Sequence, residues 1–404
     1  MASDKLYGLA LQYKKTKLWK TLMDSTLFAV RLADGQIGYC CVMGELGEHI
    51  ALALYIGAEG FDSYQRIADP NLRGEMQGEY EELGLIQNCL QCSFENKNML
   101  SPEERKEAQQ YAKKYGVSYR GRKSFPQFVK YQPFRYPWTV EQEDQEYLCQ
   151  ALSAAIEVAK KLETQDMQSL GFQAEAKAGD PIPMLEYGEA GYIWGTTLLP
   201  QPIKRGFPSP ELDEFTAARL KGVNRAGTWA CKLLRMFQPV QMEANEAPYF
   251  PVMLLSMDCD SEYVLPGDFV VDYETNANQV LTGLAQCMLD EDYMPKTIQV
   301  SDRRTEALLK RFCARVGITL QMCTALPELE QVIEDLMEHL SGRDITQADM
   351  LDDMDEMFSM LMELPSEALE TMPKEVFVEL MELDERGMLP APLSKKLHDI
   401  FGNV

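Results

Sequence analysis

Apolar residues recur in short, strand-like runs near the start of the chain. They begin at Leu27 (LFAVRL), Ile37 (IGYCCVM) and Ile50 (IALALYI), and the polar segments ADGQ and GELGEH separate them. Runs of this length, divided by turn residues, predict an antiparallel meander. A fourth strand, IQNCLQCSF, is predicted from Ile86.

Helix start signals follow these strands. The segment Ser101-Pro-Glu-Glu104 offers a capping serine, a proline at the first helical position and a glutamate that completes a capping box. Thr139 with Gln142 predicts the same device before a long helix. Residues 1–170 are therefore predicted to form an α+β domain with an antiparallel sheet.

The next segment, residues 171–228, is rich in proline and glycine. It contains a predicted hairpin, PMLEYGEAGYIWG, and the stretch LLPQPIKRGFPSPEL. Such punctuation is typical of turns and loops, so we expect a partly structured connector.

A second domain is predicted over residues 229–340. Three strands come first, and helix, strand, helix, strand and helix follow in alternation. This is the element order of ribonuclease-H-like folds, and it predicts a three-layer α/β domain.

The chain ends in an acidic, methionine-rich segment, residues 341–404, with fifteen acidic and five basic residues. Met350, Met354, Met357 and Leu361 recur at three- and four-residue steps, which predicts a helical tail. Methionine-rich surfaces adapt to many partners, so the tail is a candidate for binding a protein partner. The alternative is that its apolar face packs on its own domain.

Charge and composition restrict the compartment and the partners. The formal net charge of −24 disfavours nucleic acids and anionic membranes as partners, because both are negative. No apolar run of eighteen residues and no leader pattern occurs, and the ten cysteines lie mostly within apolar runs. We therefore predict a cytoplasmic protein with reduced cysteines, not associated with a membrane.

One stretch, residues 108–140, combines cations and aromatic rings and contains no acidic residue. Stacking rings among cations are what single-stranded nucleic acid requires, although they also serve packing against an acidic protein's own surface. The candidates for contact with nucleic acid or another ligand are Lys113, Tyr119, Arg120, Arg122, Lys123, Lys130, Arg135 and Trp138.

Other familiar motifs favour structural roles. The pair Cys89 and Cys92 is the one C-x-x-C of the chain, and on a strand its members face opposite sides. Gly44-x-x-Gly47 and Gly57-x-x-Gly60 match no complete phosphate-binding fingerprint and are interpreted as turns between strands. We accordingly expect no metal and no cofactor.

Carboxylates of the second domain offer a weaker, catalytic alternative. Ribonuclease-H-like enzymes hold two divalent ions with acids from the first strand, the fourth strand and a late helix. Asp258 ends the run VMLLSMD, taken as the first strand, and Asp260 is also near enough. Asp302 ends the fourth strand, TIQVSD, and Glu334 or Glu338 lies on the last predicted helix of the domain. The plainer roles are a turn for Asp258 and a helix N-cap for Asp302.

Two blocks of text resemble known families. Trp19 followed by LFAVRL, GYCCVMGELGEHIALALYIGAEGF and YRGRKSFPQF is similar to the N-terminal domain of an uncharacterised bacterial family, seen mainly in Firmicutes. The stretch from PYFPVMLLSMDCDSEYVL to GITLQMCTALPELE resembles a second domain of unknown function that accompanies it. The resemblance implies a cytosolic bacterial protein and no particular activity.

Two hypotheses about function follow from these patterns. The first is a non-catalytic interaction or regulatory protein, favoured by the missing catalytic signatures and by the tail. The second is a metal-dependent nuclease, or a nuclease-derived nucleic-acid binder, that uses the second domain.

Overall fold

The computed structural model describes residues 2–47, 49–72, 80–119, 121–189, 191–243, 245–265, 267–341 and 396. Met1–Leu329 form one unit and Glu330–Val404 a second. The predictions made for the acidic tail fall almost entirely outside the described residues. No helix of the described part of the chain is long and apolar enough to cross a membrane.

The chain mixes helices and strands throughout. The helices are α1 (Asp4–Thr16), α2 (Gly57–Ala68), α3 (Pro102–Tyr115), α4 (Gln142–Leu162), α5 (Glu214–Leu220), α6 (Tyr273–Asp290), α7 (Arg303–Val316) and α8 (Pro327–Ser341). The strands are β1 (Phe28–Arg31), β2 (Ile37–Met43), β3 (Ala51–Ile56), β4 (Cys89–Glu95), β5 (Phe125–Tyr131), β6 (Trp138–Thr139), β7 (Pro181–Gly188), β8 (Gly191–Leu198), β9 (Asn224–Arg225), β10 (Thr228–Arg235), β11 (Val252–Asp258), β12 (Val264–Leu265), β13 (Phe269–Val270), β14 (Tyr293–Met294), β15 (Thr297–Val300) and β16 (Thr319–Met322).

The first domain is built on an eight-stranded sheet in the order β6-β5-β4-β3-β2-β1-β7-β8. Neighbouring strands run antiparallel, as in the predicted meander, except that β1 and β7 are parallel. The predicted hairpin is the pair β7 and β8, and it extends this sheet. Much of the proline- and glycine-rich connector therefore belongs structurally to the first domain.

The central strands β2, β3 and β4 of the first sheet are buried on both faces. Helices α1 and α4 pack on one face, around Phe28 and Cys92, and α2 places Phe61 on the other, beside Cys89. Cys89 and Cys92 thus lie on opposite sides of the sheet, as their spacing predicted, and both are buried free thiols.

Two local predictions, the cap of α4 and the role of Gly57 and Gly60, were wrong. The helix α4 is capped by Glu141, whose side chain and that of Asp144 form the capping box, and not by Thr139. Gly57 and Gly60 lie in the first turn of α2 and not in a turn between strands. A Cβ at Gly60 would lie 3.1 Å from the backbone carbon of Tyr55, so glycine permits close packing of α2 on β3. The capping box of Ser101 and Glu104 is present as predicted.

The second domain has a sheet in the order β12-β11-β10-β15-β16, with β13 also paired to β11. Strands β10 and β11 are antiparallel, whereas β10, β15 and β16 run parallel. This is the strand order of ribonuclease-H-like folds, and it agrees with the predicted element order. Helices α5, α6 and α7 cover the face that carries Trp229 and Leu254, and Leu255 and Met257 on the other face are buried too.

Backbone hydrogen bonds join the two domains. The segment after β5 runs beside the segment before β11, where Arg135 and Tyr249 form an isolated antiparallel bridge. Tyr136 N–H donates to the Pro248 carbonyl (2.8 Å), and Phe250 N–H donates to the Phe134 carbonyl (2.9 Å). These contacts hold the amino end of β11 beside the first domain.

Candidate functional site

A cavity of about 780 Å³ lies where the two domains meet. The first domain contributes residues of α2, of the 3₁₀ helix Tyr80–Ile86 and of the segment Pro133–Phe134. The connector supplies residues 201–208, and the second domain supplies Arg235, Tyr273, Glu274 and Arg304. The volume is in the range of small-molecule sites, about 300–1,000 Å³.

The topology of the second sheet explains which of its residues reach the cavity. Parallel strands β10 and β15 end at the same edge of the sheet. Arg235 is the last residue of β10, and Arg304 lies in the first turn of α7, which follows β15. In open α/β sheets, ligands bind outside the carboxyl ends of the strands, which is where this cavity lies.

A buried ion network crosses from one domain to the other in the cavity wall. Arg304 Nη1 donates to both carboxylate oxygens of Glu82, at 2.8 and 2.9 Å. Arg235 Nε lies 3.4 Å from Glu82 Oε2, so this carboxylate sits between two guanidinium groups. All three side chains are at most 8% exposed. Charge-assisted hydrogen bonds between buried side chains are strong, so they hold Glu82 and the two arginines in place.

Arg235 is further held on several sides. Its Nη1 donates to the Phe250 carbonyl (3.1 Å) and its Nη2 to Glu274 Oε1 (2.9 Å). The ring of Phe134 lies 3.7 Å from the guanidinium carbon, a cation–π contact from the first domain. The carboxylate of Glu274 is partly solvated, with 41% of its side chain exposed.

A second charged group fixes the connector over the cavity. Asp62 of α2 accepts from Arg66 Nε (2.9 Å), from Arg205 Nε (2.9 Å) and from the Ile203 N–H (2.8 Å). Burial raises the pKa of Asp62, but these hydrogen bonds outweigh burial and leave its pKa below the ordinary value. Asp62 is therefore an ionised anchor for residues 203–205.

The remaining wall is mainly apolar. Leu72, Ile86, Phe134, Ile203 and Phe207 line it. Tyr273 begins α6 with a ring that is 1% exposed, and its hydroxyl makes no hydrogen bond with any residue that the structure describes. Burial raises the pKa of this tyrosine, so it stays protonated and can donate.

The carboxylates of the nuclease hypothesis do not come together. Asp258 of β11 is paired with Trp229 of β10. On the other side of Trp229 lies Ile298 of β15, and Asp302 comes about four residues after Ile298. At about 3.3 Å per residue, the two acids are separated by about 13 Å along the strands. The run VMLLSMD is also the second strand of the sheet, while the first strand, TWACKLLR, contains no acid.

Each of these acids has a defined structural partner set. Asp258 accepts from the Ser261 N–H (2.9 Å), from Trp229 Nε1 (3.2 Å) and from the Tyr293 hydroxyl (2.9 Å). Asp302 caps α7 by accepting from the Thr305 N–H at 2.8 Å. These are the turn and N-cap roles weighed for them from the sequence.

The other two members of the set belong to α8. Glu334 is on α8 within the second unit, and the side chain of Glu338 lies outside the described part. Among the residues that the structure describes, no group of three or more His, Cys, Asp or Glu side chains is arranged to hold a metal ion.

The basic, aromatic stretch is distributed over several elements. Lys113 is exposed on α3, Lys130 of β5 pairs with Asp144 at 3.0 Å, and the guanidinium of Arg135 lies 3.9 Å from the Tyr249 ring centre. Tyr119 packs against Phe125 with ring centres 4.6 Å apart.

Its other candidates occupy different settings. Arg122 is exposed, Lys123 adopts a positive φ of 48° and donates its N–H to Asn96 (2.8 Å), and Trp138 is half-buried in β6 opposite Lys130. Arg120 lies outside the described residues. Several of these side chains thus have partners within the first domain.

Sequence reasoning missed the cavity. Its buried charges, Glu82, Arg235 and Arg304, match no motif, and Glu82 precedes Arg304 by 222 positions. A signal did exist in the strand order, because ligands bind outside the carboxyl ends of the strands in such sheets, and Arg235 ends β10 while Arg304 follows β15.

Comparison with protein families divides most of the chain into two domains. Residues 4–177 match the family model of a domain of unknown function (DUF7309), and residues 216–337 match that of a second domain of unknown function (DUF6930). Two consecutive domains of unknown function therefore make up most of the chain, which confirms that part of the resemblance seen in its sequence. The bacterial origin stays a prediction.

Similarity to individual proteins adds little. No curated protein matches the chain significantly. One solved structure, described as the crystal structure of the Mos1 strand transfer complex, is similar at 11% identity over 46% of this chain. The match spans 65% of that chain, just under two thirds, with a TM-score of 0.16, and at that value the likeness carries no argument.

Proposed function

We propose that the protein is a non-catalytic regulatory protein that binds a small molecule in the cavity between its two domains. The observation that carries the proposal is the cavity itself, which has apolar walls, buried charged groups and contributions from both domains. A ligand held there touches both domains at once, so its binding stabilises one relative arrangement of them.

The bonding of the cavity's polar groups supports binding over catalysis. A general base needs a proton affinity matched to its task, but hydrogen bonds from Arg66, Ile203 and Arg205 leave the pKa of Asp62 below its ordinary value. Both carboxylate oxygens of Glu82 already accept from Arg304. The Ser63 hydroxyl donates to the Gly60 carbonyl (2.7 Å) and accepts from the Asn88 N–H (3.1 Å). A serine held in this way is poorly placed as a nucleophile.

The wider setting is part of the same proposal. A cytoplasmic location follows from the cysteine usage and the composition, and a protein partner for the acidic tail, residues 341–404, would pass the ligand signal on. Pull-down from the native host with and without tail residues 342–404 tests that partner.

Occupation of the cavity can be tested with a neutral fluorescent probe, N-phenyl-1-naphthylamine. Gly206 lines the cavity, and a Cβ added there meets no described heavy atom within 4 Å, so Gly206→Trp adds an indole without a backbone clash. Gly195→Trp on β8 is the matched control, with its nearest contact at an ordinary 3.9 Å.

We expect saturable binding of one probe per chain, lost in Gly206→Trp and kept in Gly195→Trp. Absence of saturable binding, or equal binding by both variants, would overturn the proposal.

The rival hypothesis is a nuclease-derived function, favoured by the strand order of the second sheet. Incubation with single- and double-stranded DNA and RNA in Mg²⁺ or Mn²⁺ tests it. We expect no cleavage; cleavage that disappears in the Asp258→Asn, Asp302→Asn double variant would establish the rival function.

A further inference from the structure

We infer that the outer edge of strand β8 (Gly191–Leu198) pairs with the same strand of a second copy of the chain. The pair is antiparallel and two-fold symmetric, and it joins two eight-stranded sheets edge to edge. No residue of β8 lines the cavity, so the inference does not depend on the proposed function.

Every second residue of β8 directs its backbone N–H and C=O away from β7. The two strands pair from Gly188 with Gly191 onward, and just beyond them the Leu199 N–H donates to the Asp180 carbonyl at 3.0 Å. In an antiparallel pair, residues bonded to the neighbouring strand alternate with residues whose polar backbone groups point outward. Counted back from Leu199, the bonded positions of β8 are the odd-numbered ones. The outward residues are therefore Tyr192, Trp194, Thr196 and Leu198.

The sequence of β7 agrees with this assignment. Pro181 and Pro183, which have no N–H, lie opposite Leu198 and Thr196, where the pairing of β7 with β8 requires no donor. Among the residues that the structure describes, none forms a hydrogen bond with the backbone of the four outward residues. Their N–H and C=O groups are available to another strand.

Strand β8 lacks the features that protect an exposed edge from pairing. Proteins usually keep edge strands short, or place charged residues or proline on them. The sequence of β8, GYIWGTTL, is eight residues long and contains neither a charge nor a proline. The other edge strands that the structure describes have two to four residues. The side chains of Ile193 and Leu198 are 62% and 63% exposed, so β8 offers apolar contacts as well as backbone groups.

The strand is complementary to itself in the antiparallel register centred on Gly195. Trp194 then lies opposite Thr196 of the second copy, and Tyr192 lies opposite Leu198. Both are pairs of outward residues, and each such pair exchanges two N–H···O bonds. The register therefore uses all four outward residues of each copy in about eight hydrogen bonds. It also places an aromatic ring against the exposed Leu198, a favourable cross-strand pair.

Gly195 lies on the two-fold axis and faces its own copy. This is a non-hydrogen-bonded pair, in which the Cα atoms are only about 4.5 Å apart. A Cβ added to Gly195 would have the Met184 carbonyl oxygen, at 3.9 Å, as its nearest described contact, so the sheet leaves open space there. Two-fold pairing brings like residues together at the axis, and an uncharged strand avoids the repulsion that this would cause. A second copy of β8 is therefore the occupant that fits this edge.

The overall charge limits how tightly two copies associate. The formal net charge of −24 repels a second copy, and salt screens this repulsion. One pair of strands is also a small interface. We expect a dissociation constant of about 1–100 µM, with tighter association in about 300 mM NaCl than in about 20 mM.

Charge swaps at the axis test the pairing by sedimentation velocity of the full chain. Gly195→Lys and Gly195→Glu each place like charges opposite each other, so each variant alone should weaken the dimer at least about tenfold. An equal mixture of the two should restore association, because opposite charges then face each other. Gly206→Lys is the matched control, since it adds the same charge at a connector glycine with no described atom within 4 Å of the added Cβ, and it should leave association unchanged.

Disulfide trapping tests the register separately. In Gly195→Cys the two new cysteines are about 4.5 Å apart between Cα atoms, within the range that a disulfide spans. In Thr196→Cys they lie diagonally at about 8 Å, beyond that range. Oxidised glutathione should therefore give a covalent dimer on a non-reducing gel with Gly195→Cys, and little with Thr196→Cys or with the parent.

Three results would overturn the inference. The first is a parent protein that stays monomeric up to about 200 µM, above the expected range. The second is a dimer that Gly195→Lys and Gly195→Glu leave intact, or that their mixture does not restore. The third is slow hydrogen exchange of the four outward amides in dilute monomer, which would show that another segment of the chain covers this edge.

Discussion

Replacing Glu82 with alanine removes a carboxylate that links two buried arginines across the domain boundary. Arg304 would lose both of its bonds to this side chain, at 2.8 and 2.9 Å, and Arg235 its ion pair at 3.4 Å. The two guanidinium groups would stay buried, because Arg304 also donates to the Leu233 carbonyl and Arg235 to the Phe250 carbonyl.

The magnitude follows from burial. Breaking a buried ion pair by removing one partner costs about 3–5 kcal/mol, since an uncompensated charge remains in the interior. An exposed pair of the same geometry contributes about 0–1 kcal/mol. The chain provides that comparison in Arg311 and Glu211, which are also 2.8 Å apart but are 58% and 59% exposed.

Urea unfolding of Glu82→Ala and Glu211→Ala measures the difference. Tryptophan fluorescence reports on both domains, because Trp19 is buried in the first and Trp229 in the second. We expect a loss of about 3–5 kcal/mol for Glu82→Ala and less than about 1 kcal/mol for Glu211→Ala. Equal losses in the two variants would refute the assignment of Glu82 as a buried interdomain anchor.

Three further changes test other parts of the structure. Asp258→Asn should destabilise the protein at neutral pH, because burial raises the pKa of Asp258 but hydrogen bonds led by the Ser261 N–H bring that pKa below the ordinary value. The stability that the Asp258 carboxylate contributes is therefore present above about pH 4 and is lost as the pH falls through the folded-state pKa. Urea unfolding should show a smaller difference between variant and parent at about pH 3 than at about pH 7, and a constant difference would contradict this. Gly60→Ala should cost about 1–3 kcal/mol in thermal unfolding because its Cβ would meet backbone at 3.1 Å, and an unchanged melting temperature would rule out that close packing. If the protein binds single-stranded nucleic acid, replacing Arg120, Arg122 and Lys123 with glutamate should abolish that binding and its salt dependence in a filter-binding assay. Unchanged binding would exclude this stretch as the contact.

Features set by neighbouring residues were predictable from the sequence. The spacing of Cys89 and Cys92 determines that they face opposite sides of a strand, and the capping box at Ser101 needs only Glu104 three positions later. The order of elements in the second domain predicted its sheet because short connections restrict the possible topologies.

Features that depend on distant contacts were not predictable in this way. Gly57 and Gly60 resemble turn glycines locally, yet the space left by Gly60 is filled by the strand on which α2 packs. Asp258 and Asp302 both end apolar runs, which hides the fact that one run is antiparallel to the other. A carboxylate at the end of a strand has no defined neighbour until the strand directions are known.

The strand directions also explain why the acids of the second domain lie away from the cavity. Asp258 lies at the amino end of β10, whereas Arg235 ends β10 and Arg304 follows β15 at the carboxyl end. That edge faces the first domain, whose Glu82 and Phe134 bind Arg235. The two arginines therefore line the cavity and also contact the first domain. Under the proposed function, a ligand in the cavity would therefore affect the contact between the domains, because Arg235 lines the cavity and also contacts Glu82 and Phe134.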